Sequence, residues 1–407
     1  MTSLGDGLNW IENSREDVVA FMVEMLKIKA VNPDGGGKGE HERALWVQNQ
    51  LEKAGFKVNR HDVPDKRVPE GVRVNLTSII EGRDAARTLW FAAHIDTVPE
   101  GARGLWATDP YEPVIKEGKI FARGSEDNGQ AVASTLFALK ALKTLGVKPR
   151  MNIGVAFVSD EESGSKYGVI PLLEQGVFKA GDMAIVPDTG SPDGSEIEIA
   201  EKSILWLKIT TQGKQVHGSQ PQKGLNAHRI GMTFALQLDK LLHDKYSAVD
   251  PLFEPPVSTF EPTKHESNVD NVNTVPGVDV QYFDCRILPR YPLAEIMTEI
   301  ESFKAPIEKE TGAKIELTPV QFEENTAPTP IDSEVVVTLK AALKELRNVD
   351  GRPIGIGGGT VGLYFRRKGI HTAVWSTLDD LAHQPNEYCK IDNIINDAKV
   401  LLHVALN

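Results

Sequence analysis

His94 and Asp96 stand two residues apart at the end of an apolar run, Leu89-Trp90-Phe91-Ala92-Ala93-His94-Ile95-Asp96-Thr97-Val98-Pro99. A strand places alternate side chains on one face, so the imidazole and the carboxylate emerge together. Pro99 has no amide N–H and ends ladder pairing there. A carboxylate beside a histidine can hold one ring nitrogen and leave the other for a metal ion. Alone, the pair reads more readily as a strand-end histidine making a local hydrogen bond.

Four more polar clusters change that balance. Asp127 lies in the loop Ala122-Arg123-Gly124-Ser125-Glu126-Asp127-Asn128, which opens a helix. Asp160-Glu161-Glu162 ends the apolar run Met151–Ser159, and Asp188 ends Ala184–Pro187. His383 sits in Leu381-Ala382-His383-Gln384-Pro385-Asn386-Glu387, before the last helix. Each alone reads as a solvated loop acid or a helix cap. All fall at strand ends or in the loops after them, where open α/β sheets bind ligands. Two histidines with three carboxylates suit a pair of divalent cations in a hydrolase, zinc first, with cobalt or manganese as alternatives.

Continuous apolar runs such as Met151–Ser159 suit a parallel sheet covered on both faces. Helical spacing follows Ser14-Arg15-Glu16-Asp17, a capping-box-like start. It recurs over about 40–54, from Gly129 to Leu145, over 332–346 and over 392–406. The character changes near Glu201. Strands at 204–211, 278–288 and 313–319 with helices at 226–242 and 293–309 predict a β-α-β-β-α-β unit. The α/β pattern then returns. The expected fold is α/β: a mostly parallel-sheet catalytic domain (1–203 and 321–407) carrying an inserted α+β, ferredoxin-like domain (204–320).

The chain has 407 residues and a net charge of −12, which argues against nucleic acid or an anionic membrane as partner. No stretch approaches 18 apolar residues, so no membrane span is expected. Met1 to Glu16 is polar and lacks the apolar core of a secretory leader. Cys285 and Cys389, the 2 cysteines, have no CxxC partner and read as reduced thiols. A cytoplasmic protein is expected.

His94-Ile95-Asp96-Thr97-Val98-Pro99, Arg123-Gly124-Ser125-Glu126-Asp127, Asp160-Glu161-Glu162-Ser163-Gly164-Ser165 and His383-Gln384-Pro385-Asn386-Glu387 resemble the motifs of the co-catalytic di-zinc amidohydrolases. That family includes acetylornithine deacetylase, succinyl-diaminopimelate desuccinylase, aminoacylase-1 and glutamate carboxypeptidase. The motifs appear in the family's order. The resemblance implies that His94 and Asp188 bind one metal, Glu162 and His383 the other, and that Asp127 bridges them. It makes the Asp127–Asn128 peptide bond cis, Asp96 the group that orients His94, and Glu161 the general base towards a water held between the metals. Gln215-Val216-His217-Gly218-Ser219 resembles the family's lid motif, whose histidine reaches over from the partner subunit to stabilise the oxyanion. A homodimer formed through the inserted lid domain is therefore implied. Asn273 and Arg286 match the lid residues that take the substrate's carboxylate, a task suited to a planar guanidinium. A structural salt bridge is the competing reading for Arg286.

Gly355-Ile356-Gly357-Gly358-Gly359-Thr360 looks at first like a phosphate-binding loop, but no Lys-Ser/Thr follows it. The family has a glycine-rich turn here whose amides face the substrate's carboxylate, which assigns Gly358, Gly359 and Thr360 to substrate binding. Two positions depart from the commoner pattern: Asp188 stands where several members have Glu, and Asn128-Gly129-Gln130 replaces Met-Lys-Gly. The implied activity is amide hydrolysis on an N-acyl amino acid with a free carboxylate, of the acetylornithine or succinyl-diaminopimelate type. A carboxypeptidase or dipeptidase, a carbamoyl or ureido hydrolase, and a catalytically silent binding protein are the alternatives.

Overall fold

The computed structural model describes residues Ser3 to Asn407; the first two residues of the polar N-terminal stretch lie outside it. The chain divides into two compact units. One runs to Ile199 and resumes over Thr329–Ile354 and Thr360–Asn407; the other comprises Ala200–Pro328 and Gly355–Gly359.

The first unit is built on an eight-stranded sheet in the order Val58–Pro64, Val72–Ile80, Met151–Val158, Asp84–His94, Met183–Ser191, His371–Thr377, Glu196–Glu201, Arg352–Ile356. The middle four strands are parallel. Their apolar stretches are buried, which explains why those sequences read as unbroken apolar runs. Leu89 faces Ile153 on one side and Met183 on the other, so the three strands end at one level. Below the sheet, Trp90, Ala156, Val186, Phe178 and Phe365 form a close-packed core. Gly154 is required there, because a Cβ would lie 2.4 Å from the Trp90 ring. The helix Gln130–Leu145 is buried on nearly every side and packs against the last helix, Ile391–Leu406.

The second unit carries a four-stranded antiparallel sheet in the order Thr259–His265, Val278–Ile287, Ser203–Gln212, Lys314–Glu323. The helices Ala227–Lys245 and Leu293–Thr311 bury one face of it around Phe234, Phe260, Phe283 and Ile300. The chain order β-α-β-β-α-β with sheet order second-third-first-fourth is the ferredoxin-like arrangement.

Local differences from the expected elements have physical reasons. The capping box lies at Ser3 and Asp6, opening an additional helix, Leu4–Asn13. Ser14 instead turns its hydroxyl back to the Trp10 carbonyl, 2.8 Å away. Thr259–His265 pairs as an edge strand despite Pro262, because a bulge falls between Pro262 and Lys264. Among the described residues no helix is long and apolar enough to cross a membrane.

Candidate active site

The C-terminal ends of the four parallel strands deliver the polar clusters to one place. His94 ends its strand, and Glu161 and Glu162 follow Met151–Val158 in a short turn. Asp188 lies inside the strand Met183–Ser191, where the pairing with His371–Thr377 slips between Val374 and Ser376. That bulge turns Asp188 out of the ladder. His383 follows His371–Thr377 in a loop where Asp380, His383 and Asn386 all adopt left-handed φ. Such conformations in non-glycine residues persist where surrounding bonds hold them. Here Glu126 accepts from the amides of Asp379 and Leu381, and Asn386 is held by Ala107 and Leu105.

Two ligand groups result, His94–Asp127–Asp188 and Asp127–Glu162–His383, and they share Asp127. His94 Nε2 is 2.9 Å from Asp127 Oδ1 and 3.5 Å from Asp188 Oδ1. His383 Nε2 is 3.0 Å from Glu162 Oε2 and 3.4 Å from Asp127 Oδ2. The Asp127–Asn128 peptide bond is cis, and Asn128 Nδ2 donates to Asp188 Oδ1.

A cluster of this composition demands positive charge at its centre. Burial and the Asp127 charge push Glu162 up to about 7. Burial, Asp188 and the neighbouring acids raise Glu161 well above the usual carboxylate range. Burial would push the His94 imidazole down, but Asp188, Asp127 and Asp96 outweigh it and hold it well above its ordinary value. Hydrogen bonds to Asp127 and Glu162 carry His383 up to about 10. Mutually repelling carboxylates beside proton-retaining imidazoles are the donor set that divalent cations satisfy.

Asp96 is fully buried beside His94, the residue it is expected to orient. Its main-chain carbonyl accepts from His94 Nδ1 at 3.0 Å, while its carboxylate lies 3.5 Å from that nitrogen. The carboxylate also accepts from Asn32 Nδ2 and from the amides of Glu161 and Glu162. Asn32 also donates to Asp160, which receives Arg73. Glu387 closes the motif His383-Gln384-Pro385-Asn386-Glu387. The structure shows it buried under the Asp127 loop, accepting from Arg123 Nη1 at 2.6 Å and from the amides of Gly124, Glu126 and Asp127. No sequence signal marks it, because its burial and its partner Arg123 are set by the fold.

The remaining predicted residues belong to the second unit, apart from Thr360 in the first. His217 is exposed, with Nδ1 2.8 Å from the Ser219 hydroxyl. Asn273 is exposed and accepts through its carbonyl from the Gly218 amide. Arg286 forms a bidentate pair with Asp284 and donates Nη1 to the Gly357 carbonyl at 2.9 Å. Gly358 and Gly359 stand in the turn after Arg352–Ile356. Thr360 is buried, and its hydroxyl accepts from the Gly362 amide.

Fold and site together define a metal-dependent hydrolase. The sequence matches Peptidase family M20/M25/M40 over residues 90–407. It is 40% identical to an uncharacterized metallohydrolase of Methanocaldococcus jannaschii, covering 96% of this chain and 98% of that protein. It is 25% identical to the succinyl-diaminopimelate desuccinylase of a Nitratiruptor species, covering 91% of this chain and 94% of that one. The aminopeptidase PepT of Bacillus cereus superposes with a TM-score of 0.75 at 19% identity, over 96% of this chain and 98% of that chain. The chain belongs to the M20/M25/M40 peptidase family.

Proposed function

We propose that the chain hydrolyses the amide bond of an N-acyl amino acid with a free carboxylate, as a deacylase of the succinyl-diaminopimelate or acetylornithine type. The observation that carries this reading is the pair of ligand groups sharing Asp127, with Glu161 within electrostatic reach of both. His94 and Asp188 hold one divalent cation, Glu162 and His383 the other, and Asp127 serves both. Zinc is the preferred ion, because the donors mix imidazole nitrogen with carboxylate oxygen. Two such ions supply Lewis acidity and acidify water.

Glu161 then takes the proton of the attacking water and passes it to the leaving amine nitrogen. Its high proton affinity among neighbouring acids suits the first step, and release to an amine suits the second. Asp96 orients His94 and also holds the backbone of Glu161 and Glu162 through their amides. His217, from the partner subunit of a homodimer, donates to the developing oxyanion. Arg286, Asn273 and the amides of Gly358, Gly359 and Thr360 take the substrate's carboxylate; the hold of Arg286 on Gly357 supports grouping them. The desuccinylase similarity supports the acyl amino acid class. Buried free thiols at Cys285 and Cys389 support a reducing, cytoplasmic setting.

The test is metal analysis with a substrate panel: N-succinyl-diaminopimelate, N-acetylornithine, N-acetylmethionine and dipeptides. The wild type should exceed a His94→Ala/His383→Ala variant by two ions per chain, matching the two ligand groups. One acylated amino acid should be cleaved, and not by Glu161→Ala. Cleavage of dipeptides alone would replace the deacylase reading with a peptidase. Equal metal contents would overturn the site.

A further inference from the structure

The second unit holds another group of ligating side chains, His228, His265 and Asp279, whose candidate donor atoms all lie within 4.8 Å of one another. His228 is the second residue of the helix Ala227–Lys245, His265 ends the strand Thr259–His265, and Asp279 is the second residue of Val278–Ile287. Three elements thus converge on one point. His228 Nδ1 lies 2.7 Å and His265 Nε2 2.8 Å from the same oxygen, Asp279 Oδ1. Asn268 Nδ2 donates to that oxygen too, at 3.1 Å, and Gln281 Nε2 donates to Oδ2 at 2.9 Å.

We propose that His228, His265 and Asp279 form a mononuclear site for a borderline first-row divalent cation, zinc foremost, that ties the helix to the two strands. A buried aspartate needs donors, and Asn268, Gln281 and one imidazole would satisfy it. A second imidazole is in surplus. Three donors crowd Oδ1, an oxygen with about two lone pairs. A cation at that vertex relieves the crowding. Both imidazoles turn nitrogen lone pairs to it, Asp279 supplies Oδ1, and Asn268 and Gln281 remain as hydrogen bonds that orient the carboxylate. Two imidazoles with one carboxylate favour zinc and its first-row neighbours over magnesium or calcium.

The geometry needs little change. Ligand distances of about 2.0–2.1 Å place tetrahedral donors roughly 3.3 Å apart. The two nitrogens must therefore withdraw from Oδ1 by about half an ångström. The histidine side chains, 36% and 42% exposed, have room to do so, and water fills the open positions. The carboxylate itself has no exposed surface. Gly231 shows that the packing is built around it. A Cβ there would lie 2.4 Å from Asp279 Oδ2 and 2.8 Å from Gln281 Nε2, so only glycine lets the helix carry His228 this close.

The experiment uses the full chain, stripped with a chelator, loaded with zinc or cobalt, desalted and analysed for metal. With the two groups of the first unit, the three ligand groups predict three ions per chain for the wild type. His265→Gln should hold two, and His94→Ala/His383→Ala should hold one. Zinc should also raise the melting temperature of that last variant, because it binds only the folded form. His265 lies at the surface, so the metal-free His265→Gln chain should melt as the metal-free wild type does. Equal metal contents in His265→Gln and wild type would overturn the proposal, as would a His94→Ala/His383→Ala variant that binds no ion. The two variants separate failure of this site from failure of the other.

Discussion

Glu387 holds with one carboxylate the loop that presents Asp127. Glu387→Gln puts a donor where an amide or Arg123 must donate, and leaves the buried guanidinium unpaired. Zinc affinity should fall roughly 10–100-fold, as for other residues that support ligands; an unchanged titration would show that the Asp127 loop keeps its shape unaided. Glu161→Gln tests a different role. It should lower kcat by about 10²–10⁴-fold with metal content unchanged; a matching loss of metal would make Glu161 a ligand instead. Protonation adds a third test. Glu162, raised to about 7, is destabilising once charged, so that cost grows as pH rises from its ordinary value through 7. His383, raised to about 10, stabilises fully below its ordinary value and loses that contribution as pH climbs through 10. Both signs agree: metal-free protein should melt at lower temperature as pH rises across this window, and zinc should weaken the trend, leaving the part due to buried Glu387. A flat melting profile without metal would contradict the assignment. His94, Asp127, Glu162, Asp188 and His383 were legible because each ends an apolar run or sits in a motif. Glu387 was not, because its partner Arg123 lies 264 residues away in the chain.

The four parallel strands of the first unit were legible for a simple reason: strands covered on both faces are apolar throughout, whereas Glu196–Glu201 and Arg352–Ile356 at the far edge of the sheet were not read as strands. Bulges and edges were not. Nothing in Ile185-Val186-Pro187-Asp188 announces that pairing continues to Ser191 after a slip. The edge strand Thr259–His265 hides behind Pro262, Lys264 and His265, residues that keep edges from sticking to one another. Asp188 depends on its bulge, and the bulge on Gly190. A Cβ at Gly190 would lie 1.9 Å from the Ser376 carbonyl oxygen. Gly190→Ala must therefore part the two strands just where Asp188 leaves the ladder. It should cost about 1–3 kcal/mol of stability and weaken metal binding with it. Thermal melting and zinc titration of the one variant would check both, and unchanged values would show that the slip is not tied to that close approach.

At the level of the whole molecule, the expected partner is a second copy of the chain. Met232 and Leu236 stand one turn apart on the helix Ala227–Lys245, and Leu236 is 74% exposed. Leu236→Glu should shift the protein to monomer in sedimentation velocity and abolish most turnover, because His217 would then have no second active site to enter. A monomer with full activity would refute a trans role for His217. The catalytic unit is also discontinuous, and this bears on how the protein is made. The strands bearing His94 and Asp188, and the turn bearing Glu162, leave the ribosome before the second unit. The parallel strand His371–Thr377, His383 and Glu387 emerge only after the entire second unit. A nascent chain therefore cannot close its sheet or assemble its second ligand group until the whole second unit has been made. Until then the central strands wait with an open edge, and an arrested chain carries acids meant for metal with no imidazole opposite Glu162.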